Sequence, residues 1–435
     1  MTMGNLFYLF TIAITVLIPL TYLIRYRQKE REARNRLNKS LKSGMGEPVS
    51  LHPVIDPYRC ISIGGCVKAC PEGEILGIIN GRAQLLSPSK CIGHGACLTA
   101  CPVDAITLVF GTERRGVEIP HVKETFETNV PGLYIAGELG GMGLIRNAVT
   151  QGREAVENIA RSIQRHDPSV YDLVIVGAGP AGLAATLQAQ KEKLRYLTLE
   201  QEDIGGAILS YPRQKLVMTQ PMEIPLYGKY KHREIRKEEL LSLWHEIIRK
   251  TGVGIQTREK LVNVERPNGY FQVTTSKGEY MAQRVLLAIG RRGTPRKLGV
   301  PGETSSKVAY KLIEPEQYRG NTVLVVGGGD SAVEAALALA EQSGTRVFLS
   351  YRKNVFSRIK EKNQQRISRA IQAGQVKVLF ESHVKEIRRE NVLIEQKSQS
   401  FILPNDYVFI FIGGEMPTKF LRKLGIDIEV KFGQK

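Results

Sequence analysis

The pattern of hydrophobic and polar positions divides this chain into an apolar head, a cysteine-rich stretch, and a long body of short apolar strands set between helices. Leu6 to Ile24 is an uncharged run of 19 residues, long enough to cross a hydrocarbon core as a helix. Pro19 inside it is a kink that membrane helices tolerate. Charge begins directly afterwards, with Arg25, Arg27, Lys29, Arg31, Arg34, Arg36, Lys39 and Lys42 opposed only by Glu30 and Glu32. Positive charge at one end of an apolar span places that end in the cytoplasm. The pattern predicts a single-pass anchor in the cytoplasmic membrane over 1–28 and a basic linker over 29–50 lying against anionic headgroups. The catalytic mass is then expected to face the cytoplasm. A cleaved signal peptide fits less well, because no positive charge precedes the run and no small-residue cleavage site follows it.

In the body, two strand–turn–helix–strand units stand out. Tyr171 to Val176 is a hydrophobic strand running into Gly177, Gly179, Pro180 and Gly182, followed by a helix from Ala181 to Lys191 and a second strand, Tyr196 to Leu199, that ends at Glu200. Such glycines permit a tight turn and close approach of backbone to a pyrophosphate at a helix N-terminus. An acid after the second strand accepts from a ribose 2′-hydroxyl. A lone G-x-G-x-x-G is a weak signal, but with strand, helix and acid in register it is strong. The second unit runs from Thr322 to Val326 into Gly327, Gly328 and Gly329, then Asp330, Ser331 and Ala332, with a helix onward to Glu341. Its second strand, Arg346 to Ser350, ends without an acid, and Arg352, Lys353 and Arg358 follow. Cations in place of a carboxylate read as recognition of a 2′-phosphate, hence NADPH over NADH. A basic turn with no ligand is the plainer alternative, and the register argues against it.

Composition adds bounds. With 435 residues, 42% apolar and 24% charged, the chain is folded rather than disordered and long enough for about three domains. The net charge of +18 asks for a partner, but no nucleic-acid-binding motif accompanies it, so nucleic acid is not expected. Besides the basic flank, Lys229, Lys231, Arg233, Arg236 and Lys237 form a second cationic cluster. It either docks an acidic redox protein or is a solvated loop and helix face.

All six cysteines lie between positions 60 and 101, in two copies of one pattern: Cys60, Cys66, Cys70-Pro71 and Cys91, Cys97, Cys101-Pro102. Aligned on their Cys-Pro ends, the copies repeat every 31 residues. Disulfides would need an oxidising compartment, and zinc would use paired C-x2-C spacings that are absent. The block resembles a bacterial two-cluster ferredoxin, C-x2-C-x2-C-x3-C-P, with the second cysteine of each run missing. In that family the fourth cysteine of each run ligates the other cluster. The resemblance implies one site of Cys60, Cys66 and Cys101 and another of Cys91, Cys97 and Cys70. Ile63 and His94 hold the vacant positions. Isoleucine cannot bind iron, so the first site is expected to carry a 3Fe-4S cluster, or a 4Fe-4S cluster with one open or water-ligated iron. His94 is either a fourth ligand or a donor to the sulfurs.

From about Gly111 to the C-terminus, 325 of the 435 residues, the chain resembles the thioredoxin reductase-like flavoproteins of the pyridine nucleotide–disulfide oxidoreductase superfamily. The resemblance implies that the first loop and Glu200 hold FAD and that Gly205-Gly206 is the turn near the flavin. Leu286 to Gly290 then leaves the flavin domain, and Ile412 to Pro417, through Met416, re-enters it. Such proteins end with a strand, a Gly-Asp pair at the ribityl chain, and a helix aimed at the flavin. Here those features come before the nucleotide loop. Asn129-Val130-Pro131-Gly132-Leu133-Tyr134-Ile135-Ala136-Gly137-Glu138 carries Gly137-Glu138 in the Gly-Asp place, and a helix begins near Met142 to Asn147, with Ala148 next. A circular permutation is expected, the segment completing its own flavin domain or that of a dimer mate. No cysteine follows Cys101, so the redox C-x-x-C of thioredoxin reductases is absent and thiol–disulfide exchange beside the flavin is not expected.

The fold class expected is α/β: two doubly wound dinucleotide-binding domains, for FAD and NADPH and permuted, plus a small α+β ferredoxin-like domain and an N-terminal transmembrane helix. Expected boundaries are 51–110 for the iron–sulfur domain, 111–165 for the closing segment, 166–300 for FAD, 301–403 for NADPH and 404–435 for the return. The expected activity is electron transfer from NADPH through FAD and two iron–sulfur clusters to quinone, ferredoxin or cytochrome, or the reverse flow. The alternative is a redox- or oxygen-sensing protein with little turnover. The flavoprotein resemblance also implies a homodimer.

Overall fold

The computed structural model describes residues 3–42, 46–48, 51–113, 116–141, 143–163, 167–211, 213, 215–219, 221–267, 269–291, 294–356, 359–415 and 417–433. Met142, Arg358 and Met416 lie outside the described residues. The chain forms two compact units, residues 1–115 with 432–435, and residues 116–431.

The first unit opens with one 40-residue helix, Met3–Lys42. This corrects the expectation of a transmembrane anchor. Among the described residues no helix is long and apolar enough to cross a membrane. The placement at the cytoplasmic membrane that depended on the anchor is withdrawn with it. The charged second half of the helix binds protein. Ala33 is buried against Ile79 and Leu86, Arg34 donates to Asn80 Oδ1 at 2.9 Å, and Arg36 pairs with Glu74 at 2.8 Å.

The rest of this unit is a small α+β module. The strands His52–Ile55 and Ile106–Val109 pair antiparallel, His52 opposite Val109, which brings the ends of the cysteine block together. A hairpin, Leu76–Ile79 with Arg82–Leu85, and two short helices, Gly65–Ala69 and Ala96–Thr99, complete it. Each short helix carries a middle cysteine, Cys66 or Cys97, and follows a glycine in the left-handed region, Gly64 or Gly95.

The second unit is built around two large sheets. In the first, the strands run Leu261–Glu265, Phe271–Thr275, Glu279–Leu287, Tyr171–Val176 and Tyr196–Leu199. The early half of Glu279–Leu287 pairs antiparallel with the preceding strand. Its later half is flanked by two parallel neighbours, Tyr171–Val176 and Leu133–Ile135. Thus the segment that precedes the nucleotide loop in sequence lies in the same sheet as that loop. The second sheet is a five-stranded parallel array of Val308–Ala309, Tyr407–Ile410, Thr322–Val326, Arg346–Tyr351 and Val376–Phe380. Leu173, Val174 and Ile175, like Val323, Leu324 and Val325, are fully buried, as strands covered on both faces must be. The outgoing and returning chains meet where Thr294–Pro295 pairs with Gly414–Glu415. Ile428–Lys431 returns to pair with Val117–Pro120.

Candidate functional site

The six cysteines are free thiols and form two groups. Cys60, Cys66 and Cys101 line an open-mouthed hollow whose other walls include Ile61, Ile63 and Val103. Backbone N–H groups point at the sulfurs: Ala83 donates to Cys60 Sγ at 3.4 Å and Ala105 to Cys101 Sγ at 3.2 Å. Burial pushes the Cys66 thiol up, and Cys60 and Cys101 beside it add to the rise. In the second group burial takes Cys97 up to about 11, with Cys91 and Cys70 contributing. Among the described residues no three His, Cys, Asp or Glu side chains converge on a single metal ion. Three thiols spread around an apolar hollow, with N–H donors aimed at sulfur, instead fit a polynuclear iron–sulfur cluster, whose potential such hydrogen bonds tune.

The first nucleotide cradle is built by close backbone approach. A β-carbon on Gly182 would stand 1.7 Å from Gly177 O, so the helix Pro180–Lys191 can start under the loop only with glycine there. Gly205 N–H donates to Ala178 O at 2.9 Å, which lays the Gly205-Gly206 turn beside Gly179. Glu200 is buried; its Oε2 accepts from Ala178 N–H at 2.7 Å and its Oε1 from Glu202 N–H at 2.9 Å. The carboxylate is thus held rigid at the end of its strand, beside the loop. Gly137 packs against Ala181 and Ala148, and its N–H donates to Gln151 Oε1 at 2.8 Å. Glu138 follows in a short turn of 3-10 helix, and Asn147 and Ala148 lie in the first turn of Ile145–Ala160. The structure therefore brings Gly137, Ala148 and the 177–182 loop to one place.

The second cradle follows the same plan at Gly327 and Gly329, with Ser331 and Ala332 in the first turn of the helix Asp330–Ala340. Asp330 is already engaged: its Oδ1 accepts from Lys360 N–H at 2.8 Å and from Asn363 Nδ2 at 2.7 Å. It ties down the loop after the second strand. Arg352 and Lys353 stand exposed at the head of that loop. The Tyr351 ring packs directly on Gly328, leaving no room for a β-carbon.

Residues 174–432 match the family described as pyridine nucleotide-disulphide oxidoreductase, and residues 52–102 match the 4Fe-4S dicluster domain. The chain belongs to the pyridine nucleotide-disulphide oxidoreductases. It is similar to a ferredoxin–NADP reductase of Ignicoccus hospitalis, 32% identical over 268 residues that cover 60% of this chain and 83% of that one. Similarity to bacilliredoxin reductase Bdr of Bacillus subtilis is 28% over 267 residues, 60% of this chain and 82% of the relative. Among solved structures it resembles bacillithiol disulfide reductase Bdr of Bacillus cereus, at 29% identity and a TM-score of 0.54, covering 59% and 82% of the two chains. The same enzyme of Staphylococcus aureus gives 25% and a TM-score of 0.55, covering 60% and 82%. The oxidoreductase is an NAD(P)H-dependent flavin enzyme carrying an iron–sulfur domain.

Several residues of this oxidoreductase escaped sequence reasoning. Gln151 and Tyr351 contact the cradles through packing that no motif encodes. Arg291 is another: burial lowers its pKa while the carboxylates of Glu138 and Glu118 act to raise it, and its guanidinium donates to Glu118 O at 3.4 Å. Lys237, read as a surface cation, is buried and donates to Leu209 O at 2.9 Å and to Tyr211 O. It braces the segment after Gly206, while Lys229, Lys231, Arg233 and Arg236 are exposed.

Proposed function

We propose that this oxidoreductase takes electrons from NADPH and delivers them singly, by way of its own iron–sulfur domain, to a small ferredoxin-like redox protein. The observation that carries the reading is the presence, in one chain, of two nucleotide cradles and two three-thiol sites. Bound FAD would accept hydride from NADPH and release electrons one at a time, and bound clusters would carry them onward. The chain's own residues do the holding. Gly177, Gly179 and Gly182 offer backbone to the FAD pyrophosphate, and Glu200 meets the ribose. Gly137-Glu138 and the first turn of Ile145–Ala160, with Asn147 and Ala148, close the flavin site; a helix N-terminus there favours negative charge on reduced flavin.

Gly327 and Gly329 hold the NADPH pyrophosphate, and Arg352 and Lys353 its 2′-phosphate. Residues 111–165 act as the permuted closing segment of the 166–300 flavin domain, 301–403 as the NADPH domain and 404–435 as the return. No cysteine lies between positions 102 and 435, which supports an outlet that is not a thiol–disulfide couple beside the flavin. The first site, with three thiolates and Ile63, takes a 3Fe-4S cluster or a 4Fe-4S cluster with an open iron.

The test is NADPH-driven reduction of an acidic ferredoxin by the holoenzyme and by Cys60→Ser and Cys97→Ser variants. The variants are expected to lose ferredoxin reduction by at least about tenfold while flavin reduction by NADPH stays at the wild-type rate. Undiminished ferredoxin reduction would mean that electrons leave directly from the flavin.

A further inference from the structure

The cysteine block is an internal repeat, so the two sites can be compared position by position. Alignment on Cys70-Pro71 and Cys101-Pro102 sets Ile63 opposite His94 and Val103 opposite Glu72. Val103 and Ile63 both line the hollow of the first site. Their repeat partners at the second site, Glu72 and His94, are polar. The first site is thus walled with hydrocarbon where the second offers a carboxylate and an imidazole.

Local geometry turns Glu72 toward the second site. Gly73 N–H donates to Cys70 O at 3.2 Å, a four-residue turn that folds Glu72 back over Cys70, and the Glu72 N–H points at the Cys70 thiol. The carboxylate bears on Cys91 as well as Cys70. Its Oε1 is buried and accepts no hydrogen bond from any described residue. A buried carboxylate oxygen without a donor is costly, and a cation is the usual remedy. Oxygen of a carboxylate is also a competent ligand for iron.

We propose that Glu72 is the fourth protein ligand of the second cluster, which makes that site three thiolates and one carboxylate while the first keeps three thiolates alone. This rests on the iron–sulfur reading above. His94 then serves as a donor to the sulfurs. The two sites differ in consequence: the iron lacking a protein ligand at the first is labile, and the corresponding iron at the second is retained.

The experiment uses full-length protein reconstituted anaerobically with iron and sulfide, then oxidised briefly with ferricyanide. A four-iron cluster whose fourth iron has no protein ligand gives up one electron to ferricyanide and releases that iron as Fe2+, leaving a three-iron cluster that EPR counts. Glu72→Ala and Glu72→Gln are expected to double the three-iron signal relative to wild type, whereas His94→Ala and Glu72→Cys leave it unchanged. The isosteric Gln variant and the thiolate-restoring Cys variant guard against a fold defect being mistaken for a lost ligand. A doubled signal in His94→Ala with wild-type behaviour of both the Ala and Gln variants at position 72 would overturn the proposal. So would one unchanged signal in all four variants. A wild-type chain that takes up no iron would instead remove the iron–sulfur reading itself, and this proposal with it.

Discussion

Glu303 and Tyr310 act as one unit at the entrance to the second dinucleotide domain. Burial alone would raise the Glu303 carboxyl. Donation from Leu298 N–H, the Tyr310 hydroxyl and Gly299 N–H outweighs it and holds the group below its ordinary value of 4.5. Its oxygens accept from Leu298 and Gly299 N–H at 2.7 Å each and from Tyr310 at 2.8 Å. Burial, then the Glu303 carboxylate, pushes Tyr310 up to about 12. The signs follow from linkage. The depressed carboxyl contributes stability that is whole above pH 4.5 and is lost as pH falls through its lower folded value. The raised phenol contributes stability that is whole below 10.0 and is lost as pH rises through about 12. Glu303→Gln should cost about 1–3 kcal/mol at neutral pH and narrow its gap to wild type in acid, measured by urea unfolding across pH. An equal gap at every pH would contradict the assignment. None of this was legible in the sequence, because the partners are ordinary loop residues that only the turn at Gly302 brings together.

At the scale of elements, the helices Ile145–Ala160 and Pro180–Lys191 test the closing role proposed for residues 111–165. A β-carbon on Gly152 would stand 2.0 Å from Ala181 O, so the two helices touch backbone to backbone beside the 177–182 loop. Gly152→Val should force them apart, at a cost of about 1–3 kcal/mol from overpacking, and lower FAD content in purified protein. Full FAD occupancy with wild-type stability would show that the segment does not shape the cradle. Both nucleotide loops and the doubled Cys-Pro pattern could be seen in the sequence because each writes its chemistry in contiguous residues. The long N-terminal helix was misjudged for the opposite reason. Hydropathy records that a run is uncharged, but not that the helix continues and seats Ala33 against Ile79 and Leu86. The contributions of Gln151, Arg291 and Glu72 depend on residues distant in sequence or on a turn, and no spacing announces them.

At the scale of the whole molecule, the order of parts carries the account: iron–sulfur domain first, closing strand next, then the nucleotide loops. All six thiols lie in the first 101 residues, so the proposed route places every cysteine it uses in the iron–sulfur domain. The net charge of +18 favours encounter with an acidic carrier, an attraction that weakens with salt. The most direct test of this internal route is the EPR spectrum of anaerobically purified full-length protein before and after addition of NADPH. The account predicts that NADPH abolishes an oxidised three-iron signal or creates a reduced-cluster signal, at a rate that keeps pace with turnover. Flavin that bleaches while the cluster spectrum stays unchanged would contradict it.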